Sequence, residues 1–115
     1  MLVNKERLNL LKDDSSEVEL NWLKGLIDQV VEDLESRMKT MSTINSNNTK
    51  EIISELHKIS GVAANFGLED LHQKVSGLEK LAKNEKVSEA IDNFPSTRSI
   101  WEETKKELLI FQNEL

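Results

Sequence analysis

The apolar residues of this chain return every third or fourth position along most of its length, and that spacing leaves few folds open to it. Successive residues of an α-helix sit about 100° apart around the axis, so only such intervals keep one face continuous. Leu23, Ile27, Val30, Leu34, Met38 and Met41 make one stripe between Ser16 and Met41. Ile52, Leu56, Ile59, Ala63 and Phe66 make a second, from near Thr49 to about Asn65. Leu68, Leu71, Val75, Leu78 and Leu81 make a third, and Trp101, Leu108, Phe111 and Leu115 lie along a fourth. No segment alternates apolar and polar residues as a half-buried strand would. With one proline and four glycines in 115 residues, little interrupts the helices.

Polar residues between the stripes set the boundaries. Ser16 with Glu19 reads as a capping box for the first long helix, and Asn48 with Glu51 offers the next N-terminal cap. Between them the run from Ser42 to Asn48 has the composition of a loop. Gly67 stands where a glycine closes a helix C-terminus, so the second and third stripes are expected to form an antiparallel hairpin. Val87 to Phe94 predicts a short helix ended by Pro95, after which Ser96 or Thr97 caps the last helix. The first dozen residues can add a small amphipathic helix over one end. The expected fold is all-α: an antiparallel up-down four-helix bundle with a short additional N-terminal helix, in a single domain spanning 1–115. Trp22, Phe94, Trp101 and Phe111 are expected in the core or at its ends, and the methionines likewise.

Composition narrows the chemistry. The chain has no cysteine, which excludes disulfides, thiolate metal sites and cysteine nucleophiles. No run approaches the roughly 20 apolar residues of a membrane span. Leu8, Leu10 and Leu11 are interrupted by Asn9 and followed by Lys12, Asp13 and Asp14, which is no signal-peptide core, so a cytoplasmic location is expected. A formal charge of −6 would repel nucleic acid phosphates. Residues 50–86 nevertheless balance six lysines against six acids. The acidic excess therefore lies outside the segment with the most distinctive motif.

That motif runs from Leu56 to Gly67. On a helical projection His57 points about 100° or more from the centre of the face made by Ile52, Leu56, Ile59 and Ala63. It is flanked by Ser54, Gly61 and Ala64, on the shoulder of the core and within reach of solvent. Gly61, its i+4 neighbour, removes a side chain where a bulky partner would collide. Glycine there costs roughly 1 kcal/mol of helix stability against alanine, which either a partner or close helix packing can explain. A neutral imidazole is nucleophilic near physiological pH. His57, Gly61, Ala63, Gly67, Leu71 and the Leu78-Glu79 pair, preceded by the amphipathic helix Asn21 to Met41, resemble the phosphoacceptor region of histidine-containing phosphotransfer (HPt) domains. The resemblance covers roughly residues 17 to 111.

The resemblance implies a phosphocarrier of a two-component phosphorelay rather than an enzyme with its own kinase activity. His57 would accept a phosphoryl group from a receiver-domain aspartate and pass it to another receiver. Ile53, Lys58, Ser60, Gly61 and Ala64 would shape the site or meet the partner. The partners implied are receiver domains, such as that of a hybrid histidine kinase, with a monomeric carrier and neither nucleic acid nor membrane. No intrinsic cofactor or metal is expected; the divalent metal belongs to the receiver. The chain departs from the family pattern at Ser60, where a lysine is usual. Lys58 or Lys74 can supply some of that charge, although solvated lysines are the plainer reading. His72, beside Asp70, Gln73 and Lys74, reads as an exposed surface histidine. Two alternatives stand beside the phosphocarrier. One is a kinase dimerisation domain, whose pattern of an acidic residue and then a proline after the histidine is replaced here by Lys58 and Ser60-Gly61. The other is a degenerate bundle that docks a receiver or another partner without carrying phosphate.

Overall fold

The computed structural model describes residues 1–10, 17–45 and 47–115. It contains helices α1 (Lys5–Asn9), α2 (Glu17–Thr43), α3 (Thr49–Asn65), α4 (Glu69–Lys83), α5 (Val87–Asn93) and α6 (Thr97–Asn113), with a 3-10 turn at Phe94–Ser96 joining the last two. No strand occurs among the described residues. The capping box expected at Ser16 and Glu19 falls outside the described side chains.

The four apolar stripes bury as one core. Leu23, Ile27 and Leu34 of α2, Ile52, Leu56, Ile59 and Ala63 of α3, Leu71, Val75 and Leu78 of α4, and Trp101, Leu108 and Phe111 of α6 are all buried. Phe66, Leu81 and Phe94 pack against this cluster from half-buried positions. Trp22 departs from expectation: it is 52% exposed. It immediately precedes Leu23, so it lies about 100° around α2 from the buried stripe and faces outward.

Side-chain pairs show how the helices lie. His57 and Ser60 of α3 meet Glu79 and His72 of α4, so position rises along one helix as it falls along the other. Likewise Glu35 and Asp28 of α2 meet Trp101 and Gln112 of α6. α3 and α4 therefore lie side by side in opposite directions, as do α2 and α6.

The α3–α4 hairpin is set at both ends of α3. Asn48 Oδ1 accepts from the Glu51 N–H at 3.2 Å, and Asn48 Nδ2 donates to Glu51 Oε2 at 2.7 Å, so the expected cap is present with its reciprocal contact. At the other end Leu68 N–H donates to Ala63 O at 2.8 Å and Gly67 N–H to Ala64 O at 3.3 Å. This is the Schellman closure, which requires the left-handed backbone that Gly67 adopts at φ 69°.

α1 closes over the same turn. Asn4 N–H donates to Gly67 O at 2.8 Å and Arg7 Nε to Asn65 O at 3.3 Å, while Val3 and Leu8 are buried. A Cβ at Gly67 would stand 2.9 Å from Arg7 Cβ and 3.1 Å from Asn4 Cβ. Gly67→Ala is therefore expected to lower unfolding free energy by about 2 kcal/mol or more, from left-handed strain and displacement of α1. Chemical denaturation checks this against Gly77→Ala, whose added methyl meets no atom within 4 Å and should not destabilise.

The start of α6 differs from the expected cap. Ser96 has φ −68° and ψ −14°, already right-handed, and makes no side-chain cap. Its Oγ donates back to Asn93 O at 2.6 Å, and Thr97 Oγ1 donates to Phe94 O at 2.7 Å. Pro95 sits in the first turn of the 3-10 segment, where its missing N–H costs nothing. The chain thus passes from α5 to α6 without leaving helical space, and the hydroxyls behave as they do inside a helix. No helix among the described residues is long and apolar enough to cross a membrane.

Candidate functional site

His57 sits near the middle of α3, one position beyond the buried Leu56, so its ring leaves the core and leans over the groove towards α4. Its side chain is 73% exposed, whereas Glu79, whose Oε2 lies 3.0 Å from His57 Nδ1, is only 9% exposed. The same Oε2 is 2.8 Å from Lys83 Nζ. Burial by itself would raise the Glu79 carboxyl, but the hydrogen bonds from Lys83 and His57 outweigh it and hold the group below the usual carboxylate range. Glu79 is therefore ionised at neutral pH and can only accept. A neutral His57 ring therefore keeps its proton on Nδ1, where it donates to Glu79, and its lone pair on Nε2.

A cavity of about 360 Å³ lies beside this pair, walled by His57, Ser60, Gly61 and Ala64 from α3 and by His72, Ser76, Glu79, Lys80 and Lys83 from α4. Gly61 and Ala64 are exposed. An added Cβ at Gly61 would meet no atom within 4 Å, so close helix packing does not require the glycine. Gly25 and Gly77 are equally open, but neither lines the cavity. The missing side chain at Gly61 leaves room next to His57 that only something from outside can use. Gly61→Ala is expected to raise stability by about 1 kcal/mol. Gly61→Leu should likewise melt no lower than wild type, since the added side chain enters open space. Thermal melts of the two variants check this.

The remaining expected site residues divide. Ile53 is half-buried one turn before His57 and borders a neighbouring depression with Ala82, Lys83 and Val87. Lys58 is exposed but lies on the other side of α3, 3.7 Å from Glu55, which also meets Arg37 at 3.4 Å. Neither Lys58 nor Lys74 lines the cavity; the lysines that do are Lys80 and Lys83. Among the described residues no group of three or more histidine, aspartate or glutamate side chains could hold a metal ion.

His72 is not the exposed surface histidine that its neighbours suggested. It is half-buried, and its Nδ1 is 3.1 Å from both Ser60 Oγ and Ser60 O. Its sequence neighbours point away because only one position in three or four shares a helix face. His72, Ser76, Glu79 and Lys83 do share one, at spacings of four, three and four. The opposing row on α3 is His57, Ser60, Gly61 and Ala64. Pairing these two rows across a turn at Gly67 would have found Lys83 and His72 from the sequence.

The α3–α4 hairpin thus presents one exposed histidine, with the far side of its ring held by a buried carboxylate. The family model described as Hpt domain matches residues 20–109, from within α2 to within α6, and the chain belongs to that family. Its members act in phosphorelays as phosphotransfer modules and are not kinases. Comparison with curated proteins and with solved structures gave no match.

Proposed function

We propose that His57 Nε2 is the phosphoacceptor of a phosphorelay, loaded from the aspartyl phosphate of one receiver domain and unloaded onto the aspartate of another. The observation that carries this reading is the exposed ring whose Nδ1 is bound by buried, ionised Glu79. The Nε2 lone pair forms the N–P bond as the P–O bond to the receiver's aspartate breaks, and the aspartate carboxylate leaves with that electron pair. No proton need move: Nδ1–H stays on Glu79, which offsets the positive charge the ring acquires. The receiver's aspartate pocket and divalent metal align and neutralise the phosphoryl group in flight.

The carrier's share is an accessible nucleophile in a fixed orientation. Lys80 and Lys83 add positive charge on the α4 side of the cavity. Ile53, Gly61 and Ala64 form the face on which a receiver docks, with Gly61 and Ala64 leaving room for it. The surrounding unit is read as one domain over residues 1–115, its four long helices α2, α3, α4 and α6 forming an antiparallel up-down bundle. The opposed pairs α3–α4 and α2–α6 support that arrangement.

The test is to incubate the protein with a panel of phosphorylated receiver domains and then measure its intact mass and the acid lability of any adduct. One acid-labile phosphoryl group is the expected result. Measurable receiver binding with no mass gain would replace this reading by the docking-only one, for which the absence of the usual lysine at Ser60 is the motive. Incubation with ATP alone should leave the mass unchanged.

A further inference from the structure

Ser60 occupies the place of the family's usual lysine, yet it is buried, at 6% exposure. Both of its oxygens approach one nitrogen, since Oγ and the carbonyl oxygen are each 3.1 Å from His72 Nδ1. The hydroxyl can donate to an unprotonated Nδ1 or accept from a protonated one, whereas the carbonyl only accepts, so the two oxygens hold the Nδ1 edge of the ring whichever way it is protonated. In the cation, and in the neutral ring that takes the hydroxyl bond, Nε2 carries a hydrogen. His72 lines the cavity that holds His57, and the other ionisable groups there are Glu79, Lys80 and Lys83.

We propose that His72, oriented by Ser60, donates a hydrogen bond from Nε2 to the phosphoryl group on His57 and so takes over the part of the missing lysine. The inference rests on His57 being the phosphoacceptor. A phosphoryl group brings three strong acceptor oxygens and a negative charge to the cavity. A lysine would answer it with a point charge on a flexible stem. A ring pinned between α3 and α4 answers it with a donor of fixed direction. Ser60 acts through that ring and is a positioning residue. Without its hydroxyl, only the carbonyl would remain at Nδ1, and the neutral ring would place its proton there. The Nε2 lone pair would then face the phosphoryl oxygens and repel them.

The experiment uses His72→Ala, Ser60→Ala and the double variant His72→Ala with Ser60→Lys, read in two ways. Nitrogen NMR of the unphosphorylated protein gives the tautomer of His72. Loading from a phosphorylated receiver gives the rate of acceptance and the lifetime of the adduct. In wild type, the neutral His72 ring is expected to carry its proton on Nε2; in Ser60→Ala it moves to Nδ1. Acceptance should fall roughly tenfold in both single variants, about the value of one hydrogen bond to a charged group. The double variant should recover it. Unchanged loading of His72→Ala, with wild type phosphorylated on His57, overturns the donor role and leaves the acceptor standing. Failure of wild type to load overturns both readings. A wild-type His72 protonated on Nδ1 when neutral overturns the role given to Ser60.

Discussion

His57→Gln is expected to take up no phosphoryl group from any receiver that loads the wild type, a loss of at least about a thousandfold in rate. An amide offers no nucleophilic nitrogen. The fold should be indifferent to the change, because the side chain removed is largely exposed and its hydrogen-bond partner among the described residues is Glu79. The buried carboxylate keeps Lys83 at 2.8 Å, so no unpaired charge is left behind. Stability should then stay within about 0.5 kcal/mol of wild type, as for other surface substitutions. His72 cannot stand in as acceptor: it is half-buried, bound to Ser60 and without a carboxylate on its Nδ1. Intact mass after loading, together with calorimetric binding to the same receiver, checks both halves. A phosphoryl group still gained by the variant would move the acceptor to another residue, with His72 the first to sequence.

The helices were legible because a period of three to four residues is hard to produce by chance over four segments, and α3 begins and ends where its caps predicted. Asn48 and Gly67 carry specific backbone chemistry, so they fix ends that periodicity alone leaves blurred. The start of α6 was less legible, since Ser96 and Thr97 look the same in sequence whether they cap a helix or lie inside one. His57 and Gly61 could be read singly, being on one helix. Lys83 and His72 could not, because their relevance depends on how α3 and α4 face each other. Lys58, adjacent to His57 in sequence, stands about 100° around α3 from it and does not line the cavity. Trp22 shows that the size of an aromatic residue does not decide its burial when its position lies off the apolar stripe.

Trp101→Ala should be the most damaging single change to the fold, costing about 3–5 kcal/mol and lowering the melting temperature by roughly 10–20 °C. Trp101 is 2% exposed, and its Nε1 donates to Glu35 Oε1 at 3.0 Å, which ties α6 to α2. The same oxygen receives Lys105 Nζ at 2.7 Å. The hydrogen bond from Lys105 is the main reason the Glu35 carboxyl lies below its usual range; burial opposes it, and the Trp101 N–H adds to it. Trp101→Phe keeps most of the packing and loses only that N–H, so about 1 kcal/mol is expected. The pH dependence distinguishes the hydrogen bond from the ring. A carboxyl whose folded value is depressed stabilises the fold above its unfolded value, about 4.3 for glutamate, and this is lost as pH falls through the folded value. The gap between wild type and Trp101→Phe should therefore narrow in melts below about pH 4, while the larger gap to Trp101→Ala persists because burial of the ring does not titrate. Since Arg37 meets Glu55 two residues from His57, Glu35 and Trp101 lie at about the height of His57 along the helices. With His57 as the proposed acceptor, Trp101→Phe should still load at the wild-type rate. A large loss of loading in a folded Trp101→Phe protein would mean that the α2–α6 pair sets the geometry of the groove beside His57 as well as its stability.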